Sequence, residues 1–492
     1  MPPSARSYQP RNPDTVLHHL VQTHFETFRR EAERQRDGGG LPRFVEQEFR
    51  DFLRCGWLAG GFARLRCGSC GHDRLVAFSC KGRGFCPSCG GRRMAERTAH
   101  LVDCVLPDVP IRQWVLTVPH ALRFQLAWDH ALCRAVVGAL LRAVTGALRR
   151  RARAAGVADG RSGAVAVIQR FGGALNLHVH VHALVLDGVY ARDKSGGLEF
   201  HPADPITARD VDEVLATVEA YVGRVLARRR RINEDGDDGG WHAEAPLLAG
   251  LAAASVQGTV ALGAARRVRQ AVAADPEGDA EACRARGGGF DLHAGLWIPA
   301  GQRGRLERVC QYVLRPPVAT ERVTLTDTGQ VRLTLRRPWR DGTTHLEFEP
   351  VAFLERLAVL VPRPRVNLLL YYGVLAPRAA WRRAIVPNAG GDECPSTSAR
   401  ESDASEAEAP PSARGYRWAE LLRRTFDIDV LACPRCGGRL VLIALIEQPE
   451  VIARILGHLG LPSTLPRPAP ARTALRGVAE WQDDVPVWTE PT

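Results

Sequence analysis

From Leu175 the chain reads LNLHVHVHALVLDG, with Leu175, Leu177, Val179, Val181, Ala183 and Val185 at every second position. Period-2 alternation of this length predicts a β-strand with one face against a core. The same period gathers His178, His180 and His182 on the opposite face. Successive residues of one face lie roughly 6.5–7 Å apart along a strand. Two imidazoles at that spacing can lean onto a single metal ion, with metal–nitrogen bonds of about 2 Å. Three histidines turned to solvent would give the same pattern without any ligand.

Upstream, Ala164–Gln169 reads as a second strand, and Gly172-Gly173 as a two-residue hairpin turn between the two. That turn would set residue 169 opposite residue 176, placing Gln169 beside Asn176, away from His180, as a poor third ligand. Further on, GQRGRLERVCQYVLRPPV carries Leu306, Val309, Cys310 and Val313 at helical spacing, with Arg305, Arg308, Tyr312 and Arg315 on another face. Pro316-Pro317 ends that helix. A phenol is a weak nucleophile at its usual pKa near 10, and neighbouring positive charge favours the phenolate. An amphipathic tyrosine at the border of a core would have the same periodicity. Among its competitors, Tyr190 reads as a loop residue, and Tyr371 and Tyr372 fall in the apolar run LLLYYGVL.

Cysteine spacing supplies a second constraint. Cys67-Gly68-Ser69-Cys70 and Cys86-Pro87-Ser88-Cys89 are two CxxC knuckles with fifteen residues between them. Two knuckles complete a tetrahedral structural site, so the spacing predicts one zinc on Cys67, Cys70, Cys86 and Cys89. Cys55, Cys80 and His72 lie close by, as a spare thiol or parts of a second site. Lys81, Arg83, Arg92 and Arg93 decorate the module, as suits a nucleic-acid-binding zinc ribbon. Cys433-Pro434-Arg435-Cys436 is half a site, completed by His458, by Cys394, by a partner's residues, or by no metal at all.

At 492 residues the chain exceeds one ordinary core and implies two or three domains. The composition, 45% hydrophobic and 24% charged, is that of a soluble globular protein. A net charge of +12 carried mainly by arginine favours an anionic polymer as partner. The opening MPPSARSYQPRNPD has no apolar core and does not read as a signal peptide, and the longest uncharged run, Leu247 to Ala265, is too weakly hydrophobic for a span and reads as a buried packing segment. A reduced, cytoplasmic setting follows, with the thirteen cysteines serving metals or staying free. Helices are expected near 14–36, 41–54, 125–155, 207–231, 350–360 and 449–460, a strand at 111–118, and a hairpin around Asp341-Gly342. The acidic, Gly-rich NEDGDDGG reads as a surface loop, and Asn388–Gly415 as a disordered linker.

The His-hydrophobic-His element, most closely His180-Val181-His182, resembles the metal-binding motif of the HUH endonucleases. With SCKGRGFCPSC, FDLHAGLW, ERVCQYVLRPPVATER, PWRDGTTHLEFEP and YYGVLAPRAAWR, it resembles the rolling-circle insertion-sequence transposases that join an N-terminal zinc-binding domain to an HUH nuclease. The resemblance implies an α+β chain. N-terminal helices and a zinc ribbon would occupy 1–105, and 108–387 would be a nuclease domain with an antiparallel sheet and flanking helices. Then come the linker at 388–415, a small CxxC module at 416–460 and a Pro-rich tail at 461–492. It also implies Tyr312 as nucleophile and Mg²⁺ or Mn²⁺ on His180 and His182, with His178 a third ligand and His293 a weaker one. Lys81, Arg83, Arg305, Arg308 and Arg315 would contact DNA. The partners would be single-stranded or hairpin DNA at element ends and target DNA, near the nucleoid and with no membrane involved. One departure is Arg308, where two-tyrosine members carry their second tyrosine. Plasmid relaxases, replication initiators and non-catalytic zinc proteins that bind single strands share parts of the pattern.

Overall fold

The computed structural model describes residues 13–34, 40–234, 245–262, 283–339, 341–386, 418–426 and 429–472. The expected linker at 388–415, Cys394, most of the acidic run after 234 and the tail beyond 472 lie outside the described residues. In chain order the helices are α1 (Val16–Arg34), α2 (Arg43–Arg54), α3 (Pro87–Cys104), α4 (His120–Trp128), α5 (His130–Ala154), α6 (Ala208–Glu234), α7 (Pro246–Gln257), α8 (Arg303–Leu314), α9 (Pro350–Leu360), α10 (Arg382–Ile385), α11 (Trp418–Phe426) and α12 (Pro449–His458). The strands are β1 (Phe62–Cys67), β2 (Asp73–Ala77), β3 (Ile111–Thr117), β4 (Gly163–Phe171), β5 (Leu177–Leu186), β6 (Gly188–Arg192), β7 (Leu198–Pro202), β8 (Arg284–Gly287), β9 (Phe290–Ile298), β10 (Val323–Leu325), β11 (Val331–Thr334), β12 (His345–Phe348), β13 (Leu369–Gly373) and β14 (Leu440–Ile446). The architecture is α+β, as the pattern of the sequence predicts.

The histidine strand β5 lies inside a six-stranded antiparallel sheet of order β13-β4-β5-β3-β9-β8. Its apolar residues Leu177, Val179, Val181, Ala183 and Val185 are buried in the main core with Leu140 and Leu141 of α5, Leu251 of α7 and Leu357 of α9. Asp129 starts α5 by accepting a hydrogen bond from the Leu132 amide at 2.8 Å, satisfying one of the orphan donors of the first turn. That helix is the one described element long and apolar enough to cross a membrane, and its apolar residues are packed into this core.

The histidine face is covered as well. Leu101, Val102 and Leu106, in and after α3, and Leu306 and Cys310 of α8 pack with Ile111, Val165, Leu184 and Leu186 of the sheet. This cover lies over the Leu184–Leu186 end of the face; His182 is buried and His178 and His180 are half-buried, so none of the three stands free in solvent.

The β4–β5 connection differs from the two-residue turn expected from Gly172-Gly173. Gly172 donates to the Asn176 carbonyl, and Leu175 takes a left-handed φ of 57° while its side chain is fully buried. The loop therefore runs through Asn176, with a register irregularity between Gln169 and Phe171. As a result Gln169 stands opposite His180, not opposite Asn176. Anchoring Leu175 in the core outweighs the cost of a left-handed non-glycine residue and moves the register. Tyr190, expected on a loop, lies in β6 and is buried.

A separate three-stranded sheet has the order β14-β1-β2, so the C-terminal strand pairs with the N-terminal hairpin. At the other end of β5, Arg112 donates to both oxygens of Asp187 over 2.8–3.2 Å and to the Ala294 carbonyl at 3.2 Å. The side chains of this pair are 8% and 4% exposed. Removing one partner of such a pair leaves a buried, unpaired charge, which costs about 3–5 kcal/mol. Asp187→Ala is therefore expected to lower the unfolding free energy from urea titration by an amount in that range, and a value within error of the parent would show that the pair does not hold the sheet.

Candidate active site and metal centres

The described cysteines form two clusters of four, and the division is not the one the knuckle spacing predicts. Cys55, Cys80, Cys86 and Cys89 make one cluster, and Cys67, Cys70, Cys433 and Cys436 the other, each with all four sulfurs within 4.8 Å of one another. The single site on Cys67, Cys70, Cys86 and Cys89 is thus corrected to two sites. The reason is the β1–β2 hairpin between the knuckles. Six residues of strand run about 20 Å, so Cys67 and Cys70 at its tip are far from Cys55 and Cys80 at its base. The knuckle Cys86–Cys89 joins the base, and the half-site Cys433–Cys436 is completed by the tip cysteines Cys67 and Cys70, not by His458. His72 belongs to neither cluster.

Sulfur–sulfur separations are 3.7 Å from Cys55 to Cys86 and to Cys89, and 3.4 Å from Cys80 to Cys89. In the second cluster they are 3.6 Å for Cys67–Cys436 and 3.7 Å for Cys70–Cys433. Tetrahedral zinc–thiolate bonds of about 2.3 Å place sulfurs about 3.8 Å apart, close to these values. The Cys80 thiol is pushed up by its hydrogen bonds with Cys55, Cys86 and Cys89, as expected where thiolates crowd without a cation. Amides of Cys70 and Ser69 donate to Cys67 and bring its thiol down to about 6.

The first cluster also touches the predicted catalytic helix. Helix α3 starts at Pro87, inside the knuckle, and packs along α8. A Cβ on Gly90 would come within 2.6 Å of Pro316 Cβ, so only glycine allows this approach. The runs SCKGRGFCPSC and YVLRPP, remote in sequence, meet at this point.

Helix α8 lays Tyr312 across the histidine strand. The Tyr312 ring lies 6.0 Å from the His182 ring, edge to face, and successive histidine rings are 5.0 and 4.9 Å apart. Tyr312 is 43% exposed, while burial pushes the Tyr190 phenol up to about 12 and also raises that of Tyr371. Arg315 stacks on the Tyr312 ring at 4.0 Å and donates to the Tyr312 carbonyl at 2.6 Å. Burial brings the His180 imidazole down to about 4 and those of His178 and His182 well below the ordinary value. All three are therefore neutral near pH 7, the form that ligates a metal.

Tautomers follow from the partners. His180 Nδ1–H donates to the His178 carbonyl at 3.0 Å, which leaves Nε2 with its lone pair. Gln113 Nε2–H donates to His182 Nδ1 at 2.9 Å; the reversed amide, with Oε1 on that side, would accept from Nδ1–H and leave Nε2 its lone pair. His178 Nε2, His182 Nε2 and Gln169 Oε1 are buried side-chain atoms without a hydrogen-bond partner. Unpartnered ring nitrogens and an amide oxygen on one face of adjacent strands are the kind of donor set that suits a divalent cation held by neutral nitrogen and oxygen ligands.

Residues 163–383 match the family model described as "Putative transposase", and residues 20–118 match the "Transposase zinc-binding domain" of the IS91 type. The chain belongs to the IS91-type transposases. No curated protein and no solved structure matches it. In this transposase the first cysteine cluster falls wholly inside the zinc-binding match, whereas Cys433 and Cys436 lie outside both matched ranges.

The predicted DNA-contacting residues divide by what else they do in the transposase. Arg305 and Arg308 are exposed on α8, and Lys81 is exposed beside the first cluster. Arg83 donates to the Val366 carbonyl at 2.5 Å, and Arg315 is engaged by Tyr312, so both carry structural duties. His293 lies on the histidine side of the sheet but one strand further out, opposite Val115, which in turn faces His182. The clusters generate a stoichiometric expectation: two zinc ions per chain by elemental analysis, falling to one in Cys433→Ser/Cys436→Ser. Retention of both ions by that double variant would show that the second cluster is not a zinc site.

Proposed function

We propose that this transposase nicks and rejoins single-stranded DNA at insertion-sequence ends through a 5′-phosphotyrosine intermediate. The observation that carries this reading is Tyr312, held by a basic helix over the neutral histidine face, its ring 6.0 Å from that of His182. His180 and His182, with His178 or a neighbouring oxygen ligand, would hold the catalytic cation. A bound Mg²⁺ or Mn²⁺ supplies polarisation of the scissile phosphate. The phenol of Tyr312 gives up its proton to solvent as its oxygen attacks phosphorus, the P–O3′ bond breaks, and the 3′ oxygen leaves and takes up a proton from solvent, so that protons balance overall. The new phosphotyrosine bond conserves the phosphodiester energy, so the strand can be rejoined without ATP.

Arg305 and Arg308 sit on the exposed side of the same helix and suit the incoming backbone. Arg308 occupies the turn before Tyr312, so one tyrosine serves this helix, and moving two DNA ends calls for its reuse or for a second protomer. Substrates in this reading are the element ends and the target, bound as single or hairpin strands near the nucleoid. The log–log salt slope of binding should be about −0.7 per phosphate contacted. Salt-independent binding would remove nucleic-acid recognition from the account.

Tyr312→Phe is expected to abolish the protein–DNA adduct formed on labelled single strands with Mn²⁺, with little change in binding. An adduct that persists and maps to Tyr372 would move the nucleophile. No adduct under any metal would leave a zinc-dependent binding protein. His180→Ala and His182→Ala should each remove nicking while DNA binding survives, and undiminished nicking by the double variant would place the cation elsewhere.

A further inference from the structure

Gln169, whose Oε1 lies unpartnered beside the histidine face, is among the most constrained polar residues described. It is 3% exposed and stands directly opposite His180 in the β4–β5 ladder. Directly opposed residues on one face have Cβ atoms about 4.5–5.5 Å apart. Its Nε2 donates to the Val313 carbonyl at 2.6 Å, with the Tyr312 carbonyl at 3.5 Å. These carbonyls belong to the last turn of the tyrosine helix, where backbone oxygens have no partner within the helix. Carbonyls only accept, so the amide orientation is fixed: the nitrogen faces the helix and Oε1 faces away. Oε1 is then buried with no hydrogen-bond partner. An amide in this position without a second partner costs free energy unless something else binds the oxygen.

We infer that Gln169 ties the tyrosine helix to the histidine site, its nitrogen holding the last turn of the helix and its oxygen serving as a ligand of the divalent cation. The inference rests on the metal-dependent nuclease reading above. One side chain then couples two things the reaction needs in register: the cation that polarises the phosphate and the helix that delivers the phenol. Pulling the oxygen toward a cation moves the whole amide plane, and with it the donor that holds Val313. Occupancy of the cation site is thereby transmitted to the backbone next to Tyr312, without any contact between the cation and the helix.

Two substitutions separate the halves of this role. Gln169→Glu keeps an oxygen ligand and loses the donor, whereas Gln169→Leu loses both. The measurements, on the full-length zinc-loaded protein, are Mn²⁺ affinity by calorimetry and hydrogen exchange of amides in 303–314 with and without Mn²⁺. The parent should show slower exchange in that helix when Mn²⁺ is added. Gln169→Glu should bind Mn²⁺ at least as tightly as the parent but exchange faster in the helix, with the Mn²⁺ protection lost. Gln169→Leu should bind Mn²⁺ about 10–100-fold more weakly, the range typical of losing a metal-site partner. Parent-like affinity in Gln169→Leu, beside lost binding in His180→Ala, would overturn the ligand role and leave the nuclease reading standing. Parent-like exchange in Gln169→Glu would overturn the tie to the helix. Parent-like affinity in Gln169→Leu, His180→Ala and His182→Ala together would sink both the inference and the reading on which it rests.

Discussion

Four cysteine sulfurs held within 4.8 Å of one another repel as thiolates unless a cation sits among them. The cluster of Cys55, Cys80, Cys86 and Cys89 fixes where α3 begins, since Cys86 and Cys89 bracket its first turn. The direction of α3 then sets α8, because Gly90 and Pro316 approach with no room for a side chain between them. Helix α8 in turn decides where Tyr312 meets the sheet. An ion bound by these four sulfurs would thus govern the placement of the Tyr312 phenol from a distance, because binding energy at such a site is folding energy.

The electrostatics of the histidine face follow from the same enclosure. Packing on both sides of the sheet keeps the three imidazoles uncharged, and the charges they sense come from Arg315 and Arg123. The fully buried Arg170 is different in kind: it gives its guanidinium to the Ala127 and Val359 carbonyls and bolts α4 and α9 to the edge of β4.

Local periodicity is enough to place β3, β4, β5, α8 and α9 within a few residues and to gather the three histidines on one face, whereas the choice of Tyr312 leans on the family resemblance of its surrounding run. It also placed α2, whose apolar residues Val45, Phe49, Phe52 and Leu53 recur at helical spacing. Where the reading failed, non-local packing decided. Gly172-Gly173 looks like a tight turn, but burial of Leu175 lengthens the loop and brings Gln169 to His180. Spacing alone made one site of two knuckles. The strands between them send the knuckles to opposite ends of a hairpin, and the missing ligands come from Cys55, Cys80 and the distant Cys433 and Cys436. A clue lay in the residue count: with Cys55 and Cys80 included, the N-terminal region holds six clustered cysteines, too many for one tetrahedral ion.

The second cluster joins residues 363 positions apart, since Cys70 meets Cys433. At synthesis rates of about 5–20 residues per second, Cys67 and Cys70 emerge roughly 20–70 s before their partners exist. During that interval the hairpin tip carries two naked thiols and β1 lacks its neighbour β14. Closure of the tip therefore reports that translation has run through Cys436. A chain broken off after residue 386 would keep the histidines and the tyrosine, yet leave its N-terminal sheet with an open edge and an unfilled half-site. In this transposase, a strand made late in synthesis seals a hairpin made early.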